Sequence, residues 1–296
     1  MTDFSYMCND CPRNCNAYRT FSEGNGFCRA GLLPVINRVA PHFWEEPCIS
    51  GKNGSGTVFF GGCNLKCVYC QNSVISRTPK GKKYTVDELT EQIKKLEDMG
   101  VHNINLVTPT HYTYAITQAL TKYKPSVPIV YNCGGYESAI TLKKLEGLVD
   151  IYLTDFKYIS SDIAKRYSKA PDYPEKVKSA LKEMLRQTGA PVFDSECMMQ
   201  KGVIVRHLVL PSNTDESIRI IDYLDREYGD DILFSLMHQY YPAGEAKEYP
   251  EINRRITKRE YEKVLDKLLN SSLDGFVQDS DSAKASYTPK FDTDSK

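Results

Sequence analysis

Short runs rich in β-branched and aromatic residues recur along most of the chain, and helical stretches separate them. The first run is TVFFGG, which begins at Thr57, and five more follow: HNINLVTP, VPIVYN, DIYLTDF, GVIVRHLVLP and DILFSLM. Strands that alternate with helices pair in parallel through right-handed crossovers. The pattern therefore predicts an α/β fold of six strand–helix units, and it favours a partial or full β/α barrel over a doubly wound sheet.

Periodicity and capping signals place the intervening helices. After the first strand, TVDELTEQIKKLEDMG carries a capping box at Thr85 and Glu88 and ends at Gly100. Its apolar residues recur at helical spacing and predict one buried face. Further helices are expected over residues 175–187, 215–227 and 258–270.

Composition excludes several functional classes. Of 296 residues, 41% are hydrophobic and 26% are charged, which is a globular mixture able to bury a sizeable core. The formal net charge of +0 argues against nucleic acid or an anionic membrane as a partner. No apolar run approaches the roughly 18 residues of a membrane span, and the first residues, MTDFSYMCNDCPRN, lack a secretion signal. A cytoplasmic protein is expected.

Ten cysteines are notable in such a protein, because cytosolic thiols stay reduced and clustered ones serve metals or catalysis. Cys63, Cys67 and Cys70, in FFGGCNLKCVYCQN, form a C-x3-C-x2-C motif directly after the first predicted strand. The reactive sites of β/α barrels lie at this end of the strands. Three thiolates can hold a [4Fe–4S] cluster and leave one iron for another ligand, or they can bind zinc together with a distant fourth ligand. The spacing alone leaves both open.

The motif, with Tyr69 just before its last cysteine and its place after the first strand of a β/α repeat, resembles the signature of the radical S-adenosylmethionine (radical SAM) superfamily. Within that superfamily, GGCNLKCVYCQN resembles the branch that contains pyruvate formate-lyase activating enzyme. CNDCPRNC near the start and RHLVLP later extend the resemblance to the PflX-type iron–sulfur proteins, over Cys8 to Leu269.

The resemblance implies a partial (β/α)6 TIM-like barrel over residues 57–279. It implies that Cys63, Cys67 and Cys70 bind a [4Fe–4S] cluster at which SAM is reductively cleaved to a 5′-deoxyadenosyl radical for hydrogen abstraction. Flavodoxin or ferredoxin would donate the electron, and a glycyl radical enzyme would be the protein partner. The alternatives are modification of a small molecule or peptide, or a zinc-stabilised binding module without catalysis. Neutral charge and the six-unit repeat argue against the last.

The resemblance also assigns SAM contacts. Tyr69 would pack near the adenine, although an ordinary core aromatic is an equal reading. Asn132, in YNCGGYES, would contact the ribose unless this segment is a plain turn. Asp155 and Lys157, in TDFKY, match an Asp-x-Lys motif and share one face of their strand. Lys157 would bind the methionine carboxylate, with an internal ion pair as the competing explanation.

Two further segments match the superfamily pattern less closely. The Gly-Gly-Glu segment that usually receives the SAM amino group is replaced by VTPTHY, so the hydroxyls of Thr108 and Thr110 and nearby carbonyls are the expected acceptors. Arg206 and His207 occupy opposite faces of the fifth strand. His207 is expected to face the lumen near SAM, with a core histidine as the alternative.

The chain ends differ from this central repeat. Cys8, Cys11, Cys15 and Cys28 form C-x2-C-x3-C-x12-C within an otherwise irregular segment over residues 1–56. Four such ligands suit structural zinc or a second [4Fe–4S] cluster, and both remain open. Residues 280–296 have almost no apolar content and are expected to be a disordered polar tail.

Overall fold

The computed structural model of the chain describes residues 6–21, 24–278 and 291. Its strands, numbered in chain order, are β1 Tyr6–Cys8, β2 Ala17–Arg19, β3 Val35–His42, β4 Ser55–Phe60, β5 Lys82–Lys83, β6 Ile104–Val107, β7 Ile129–Cys133, β8 Ile151–Asp155, β9 Val192–Phe193, β10 Met199–Leu208, β11 Leu233–Met237 and β12 Asp274–Val277.

The α-helices are α1 Pro47–Ser50, α2 Ser73–Ser76, α3 Val86–Asp98, α4 Thr113–Lys122, α5 Ala139–Leu142, α6 Ser161–Ser168, α7 Tyr173–Thr188, α8 Thr214–Glu227 and α9 Lys258–Leu269. Short 3₁₀ turns lie at Thr110–Tyr112, Lys143–Leu145, Gly229–Asp231 and Ala246–Glu248. The capping box predicted for α3 is present, with both the Thr85 and the Glu88 side chains bonded to backbone N–H groups.

One twisted sheet carries the fold, in the order β12-β11-β10-β8-β7-β6-β4-β3-β5. The strands from β12 to β4 run parallel, each with its neighbour. Within the described residues its two end strands, β12 and β5, do not pair, so the sheet is a partial barrel. The six predicted parallel strands are confirmed as β4, β6, β7, β8, β10 and β11.

A seventh parallel strand, β12, was not predicted. Its sequence, DGFV, is short and mostly exposed, and it begins with two residues that disfavour strands. Helices α4 and α6 were also missed. No described helix is long and apolar enough to cross a membrane.

The expectation of a wholly irregular segment before residue 57 is corrected by β3. This strand pairs antiparallel with β4, from Val39 opposite Val58 to His42 opposite Ser55, so the N-terminal segment contributes to the main sheet. Its proline, Pro41, made the sequence VINRVAPH a poor strand candidate. The short strand β5 pairs only with Val35 and Ile36, so Pro41 has a paired strand on one side only, where proline is tolerated. The predicted disordered tail lies outside the described residues except at Phe291.

The two faces of the sheet bury different clusters. The outer face packs against the helices in the main core. The inner face holds a smaller cluster, in which Cys48 and Ile49 of α1 meet Val130 of β7, Ile151 of β8 and Leu233 of β11. Helix α1 therefore fills part of the barrel interior, and the cavity described next occupies another part.

Candidate functional site

A cavity of about 520 Å³ lies where the parallel strands end. Residues at the ends of six of these strands line it: Phe59, Val107, Asn132, Asp155, Leu208 and Met237. In α/β barrels the chemistry takes place at this face, because the loops after the strands can vary without disturbing the barrel. The cavity is therefore the candidate functional site.

The loop after β4 brings three cysteines to this cavity. Cys63, Cys67 and Cys70 all line it, as the sequence predicted. Gly62 begins the loop with a positive φ of 88°, and a Cβ there would lie 2.7 Å from the Cys28 carbonyl oxygen. Only glycine fits this position without moving the backbone. The glycine before the motif thus serves to fold the loop tightly against the N-terminal segment.

Cys67 is buried, Cys63 and Cys70 are partly buried, and all three thiols receive hydrogen bonds. The Ser168 hydroxyl donates to Cys67 Sγ at 3.0 Å, the Ser76 hydroxyl to Cys70 Sγ at 3.4 Å, and the Leu65 N–H to Cys63 Sγ at 3.3 Å. Burial, together with the nearby Cys67, raises the pKa of Cys63 to about 12. A metal centre that accepts thiolates removes this penalty, because a coordinating thiol is deprotonated outright. Three soft donors on one loop fit an iron–sulfur cluster bound through three irons.

A charged wall, formed by Asp155, Lys157 and Arg206, lines the same cavity as the three cysteines. Lys157 Nζ donates to Asp155 Oδ2 at 2.5 Å, and Arg206 Nε donates to Asp155 Oδ1 at 3.0 Å. Burial alone raises the pKa of the Asp155 carboxyl, but the two cations outweigh burial and hold that pKa below its ordinary value. Burial alone would lower the pKa of Lys157, but Asp155 and the nearby Cys67 outweigh burial and hold that pKa above its ordinary value. Both side chains are therefore charged at neutral pH.

Glu45 extends this wall from the segment after β3. Its carboxylate accepts from Arg206 Nη1 at 3.0 Å and from the Asn132 amide at 3.3 Å. Asn132 Oδ1 in turn accepts from Arg206 Nη2 at 2.6 Å. Burial raises the pKa of Glu45, and Arg206 opposes this rise. Neither Glu45 nor Arg206 was assigned from the sequence, because their meeting requires β3 to deliver the segment after it to the barrel interior.

The prediction that His207 of the fifth strand faces the barrel lumen was wrong. Arg206 lines the cavity, whereas His207 is buried on the helix side, where its ring nitrogens contact the Phe156 carbonyl at 2.7 Å and the Ser217 hydroxyl at 2.8 Å. Burial lowers the pKa of His207 to about 4, so the ring is neutral and joins β10 to α8. The alternative reading of a satisfied core histidine is the one that the structure supports.

Most of the other residues predicted from the sequence line the cavity, and one does not. Tyr69, Asn132, Asp155 and Lys157 all line the cavity. Of the two threonines, Thr108 lines the cavity, whereas the Thr110 hydroxyl donates to buried Glu137 at 2.8 Å. Thr108 has a φ of 59°, which is an outlier for a β-branched residue.

The N-terminal cysteines lie beside the cavity loop. Cys8, Cys11 and Cys28 are buried, and Cys15 is exposed. Arg19, also buried, donates to Cys28 Sγ at 3.8 Å and to the His111 carbonyl oxygen. Across residues 6–21, 24–278 and 291, no three His, Cys, Asp or Glu side chains converge on one ion. This also holds for Cys63, Cys67 and Cys70, whose thiolates would each bind a different iron of a cluster.

Fold and site together define a partial β/α-barrel protein with three cysteines in a cavity at the carboxyl ends of its parallel strands. The model of the Radical SAM superfamily matches residues 57–224, and the chain belongs to this superfamily. Membership implies a [4Fe–4S] cluster and SAM as cofactors, and the thiol loop and charged wall fit both.

Similar proteins include two from Methanocaldococcus jannaschii. The chain is 32% identical over 277 residues to Uncharacterized protein MJ0674, covering 90% of this chain and 75% of that protein. It is 23% identical over 279 residues to Uncharacterized protein MJ0808, covering 84% and 76%.

Among solved structures, Streptococcus suis SuiB bound to precursor peptide SuiA matches with a TM-score of 0.49 and 16% identity, covering 74% of this chain. Methylornithine synthase (PylB) matches with a TM-score of 0.49 and 13% identity, covering 75% of this chain and 63% of that one. The chain spans 47% of the length of SuiB.

Proposed function

We propose that the protein binds SAM beside a [4Fe–4S] cluster held by Cys63, Cys67 and Cys70, and that it acts as an activase for a glycyl radical enzyme. When bound, the cluster supplies one electron that breaks the sulfur–C5′ bond of SAM and yields the radical for hydrogen abstraction. The observation that carries the proposal is the single cavity shared by the three thiols and the Lys157 ammonium.

Lys157 is the group we assign to the methionine carboxylate. The Lys157 ammonium has three N–H donors, and the Asp155 carboxylate accepts one hydrogen bond from it. The ion pair holds the ammonium at the cavity wall and leaves the other donors for an incoming carboxylate. A lysine suits this role because its flexible stem can release the carboxylate after each turnover.

Thr108 is the group we assign to the SAM amino group. It stands at the end of β6, where the superfamily usually places a carboxylate, and its N–H donates to the Asn132 carbonyl at 2.8 Å. Strained backbone at a cavity wall is a feature that persists where function requires it. The Thr108 hydroxyl and carbonyl would accept the hydrogen bonds of an ammonium without adding a charge.

Tyr69 and Asn132 would hold the remainder of SAM. The Tyr69 ring is buried at the cavity wall and packs edge-on against Tyr240, with ring centroids 6.0 Å apart. It can therefore offer a fixed apolar face to the adenine. Asn132 is oriented by Arg206 and Glu45, which leaves its position defined before a ribose hydroxyl arrives. Preorganised contacts of this kind reduce the entropy lost on binding.

Apolar side chains complete the cavity and would shield a radical from solvent. Phe59, Leu65, Ile75, Val107 and Met237 contribute to the lining. Excluding water from a closed site prevents side reactions of reactive intermediates. A wall of this composition suits hydrogen abstraction from a carbon atom.

The rim of the cavity supports a protein as the target. Trp44 lines the cavity and is nevertheless 61% exposed, and its neighbour Phe43 is 52% exposed. Aromatic residues are enriched at protein interfaces relative to the rest of the surface, so these two exposed side chains suit contact with a protein. We assign this rim to the glycyl radical enzyme, and flavodoxin or ferredoxin is the proposed electron donor.

The test is anaerobic. After reconstitution with iron and sulfide, the protein is reduced in the presence of SAM, and 5′-deoxyadenosine and methionine are measured by chromatography. Formation of both supports SAM cleavage, and their absence from cluster-loaded protein contradicts it. Addition of a glycyl radical enzyme that carries deuterium in its glycine residues then tests the activase role. Deuterium in 5′-deoxyadenosine supports the role, and its absence favours a small molecule or peptide as the target.

A further inference from the structure

A chain of hydroxyl groups ends on one of the three cavity thiols. Tyr69 Oη lies 2.7 Å from Tyr158 Oη, Tyr158 Oη lies 2.7 Å from Ser168 Oγ, and Ser168 Oγ lies 3.0 Å from Cys67 Sγ. All four side chains are buried, with exposures of 6%, 0%, 1% and 7% in that order. Water therefore does not compete for these hydrogen bonds.

The number of protons fixes the direction of the chain. A thiolate bound to iron has no proton, so Ser168 must donate its only proton to Cys67. Ser168 then accepts from Tyr158, and Tyr158 accepts from Tyr69. Successive hydrogen bonds polarise one another, so the donation to sulfur is strengthened by the two tyrosines.

The backbone holds Ser168 at this position. Ser168 is the last residue of α6, and the preceding Tyr167 carbonyl accepts from the Val68 N–H at 2.9 Å. The Arg13 guanidinium donates from Nη2 to the Ser168 carbonyl at 2.8 Å and from Nε to the Asn64 carbonyl at 2.8 Å. The end of α6 and the cysteine loop are thus joined on both sides of the Ser168–Cys67 contact.

We propose that Ser168 is a positioning residue that sets the reduction potential of the cluster, an inference that rests on the proposed cluster at Cys67. Reduction adds negative charge, and part of that charge resides on the sulfur ligands. A hydrogen bond to a ligand sulfur stabilises the reduced form more than the oxidised form, so it raises the potential. The hydroxyl chain would therefore make the cluster easier to reduce by a cellular electron donor.

The test is a redox titration of the cluster-loaded protein, without SAM, followed by the paramagnetic signal of the reduced cluster. Ser168→Ala is expected to make reduction about tenfold less favourable, which corresponds to a midpoint about 59 mV more negative for one electron. Ser76→Ala is the matched control, because it removes a longer contact to a different ligand, Cys70, and a smaller shift is expected. Equal midpoints for Ser168→Ala and the wild type would overturn the proposal.

A second variant guards against misfolding of the first. Tyr158→Phe keeps the Ser168 hydroxyl but removes its donor, so an intermediate negative shift is expected. An unchanged midpoint in this variant would count against the chain even if Ser168→Ala cannot be loaded with iron. Iron content and the cluster spectrum are measured in every sample. Failure of the wild type to bind a [4Fe–4S] cluster would contradict the proposed function, whereas a loaded wild type with unshifted variants contradicts only the role of Ser168.

Discussion

The Lys157 ammonium and the Asp155 carboxylate lie 2.5 Å apart on the cavity wall, and the Arg206 guanidinium contacts the second carboxylate oxygen. The sequence left two readings of this pair open, a ligand contact or an internal ion pair. The geometry makes the two readings compatible. Arg206 can remain paired with Asp155 while the Lys157 ammonium donates its other hydrogen bonds to a ligand.

Lys157→Met is expected to weaken SAM binding while the cluster spectrum is retained. A hydrogen bond to a charged group contributes about 1.5–3 kcal/mol, which is about a tenfold to hundredfold change in affinity. SAM is titrated into the reduced protein, and the cluster's paramagnetic signal is followed. If Lys157 only pairs with Asp155, the variant will lose stability but keep the wild-type titration midpoint.

Cys67→Ala is expected to abolish SAM cleavage, because it removes one of three cluster ligands. Iron content and the yield of 5′-deoxyadenosine under reducing conditions are the measurements. Cys197→Ala is the matched control, since Cys197 is exposed and does not line the cavity. Cleavage by Cys67→Ala at the rate of the control would remove these cysteines from the reactive site.

Stability is expected to fall in acid partly through His207. Its pKa is about 4 in the folded state, below the ordinary value of 6.5 that the unfolded chain has, so between these values the unfolded state binds more protons. This contribution is present above pH 6.5 and is lost as the pH falls toward 4. From pH 7 to pH 5 the loss is about 2 kcal/mol in the free energy of unfolding.

Between pH 7 and pH 5, the free energy of unfolding of His207→Gln should fall by about 2 kcal/mol less than that of the wild type. Urea unfolding at pH 7 and pH 5 compares the variant with the wild type. His111, whose pKa burial lowers to about 3, is present in both proteins and cancels in the comparison. The same pH dependence in the two proteins would show that His207 does not control it.

The N-terminal cysteines are expected to bind a metal centre, either zinc or a second cluster. Arg19 is a buried cation beside Cys28, and the net negative charge of a tetrathiolate centre would compensate it. Replacing Cys8 and Cys11 together with alanine should lower metal content and expose the region before residue 57 to proteolysis, because metal binding is coupled to folding. Wild-type metal content and protease resistance in the double variant would contradict this site.

The parallel strands could be predicted because each is a short apolar run between helical stretches, and the cysteine loop could be placed because barrel chemistry follows the strands. The strand β3 could not be predicted, because a turn and a short helix separate it from its partner β4 and because its own sequence alternates only weakly between apolar and polar residues. Glu45 was missed for the same reason. His207 was assigned to the wrong face because alternation along a strand says that Arg206 and His207 differ, but not which one points inward.

The pairing of β3 with β4 also bears on how this chain can be divided. Residues 57–224 match the superfamily, yet β4 bonds along its length to a strand that is synthesised before it. A fragment that begins at residue 57 would leave the backbone donors and acceptors of β4 unpaired along one edge, and such edges template aggregation. It would also lack Glu45, which leaves Arg206 with one carboxylate fewer. The smallest fragment expected to fold independently therefore begins before Val35, upstream of the family boundary.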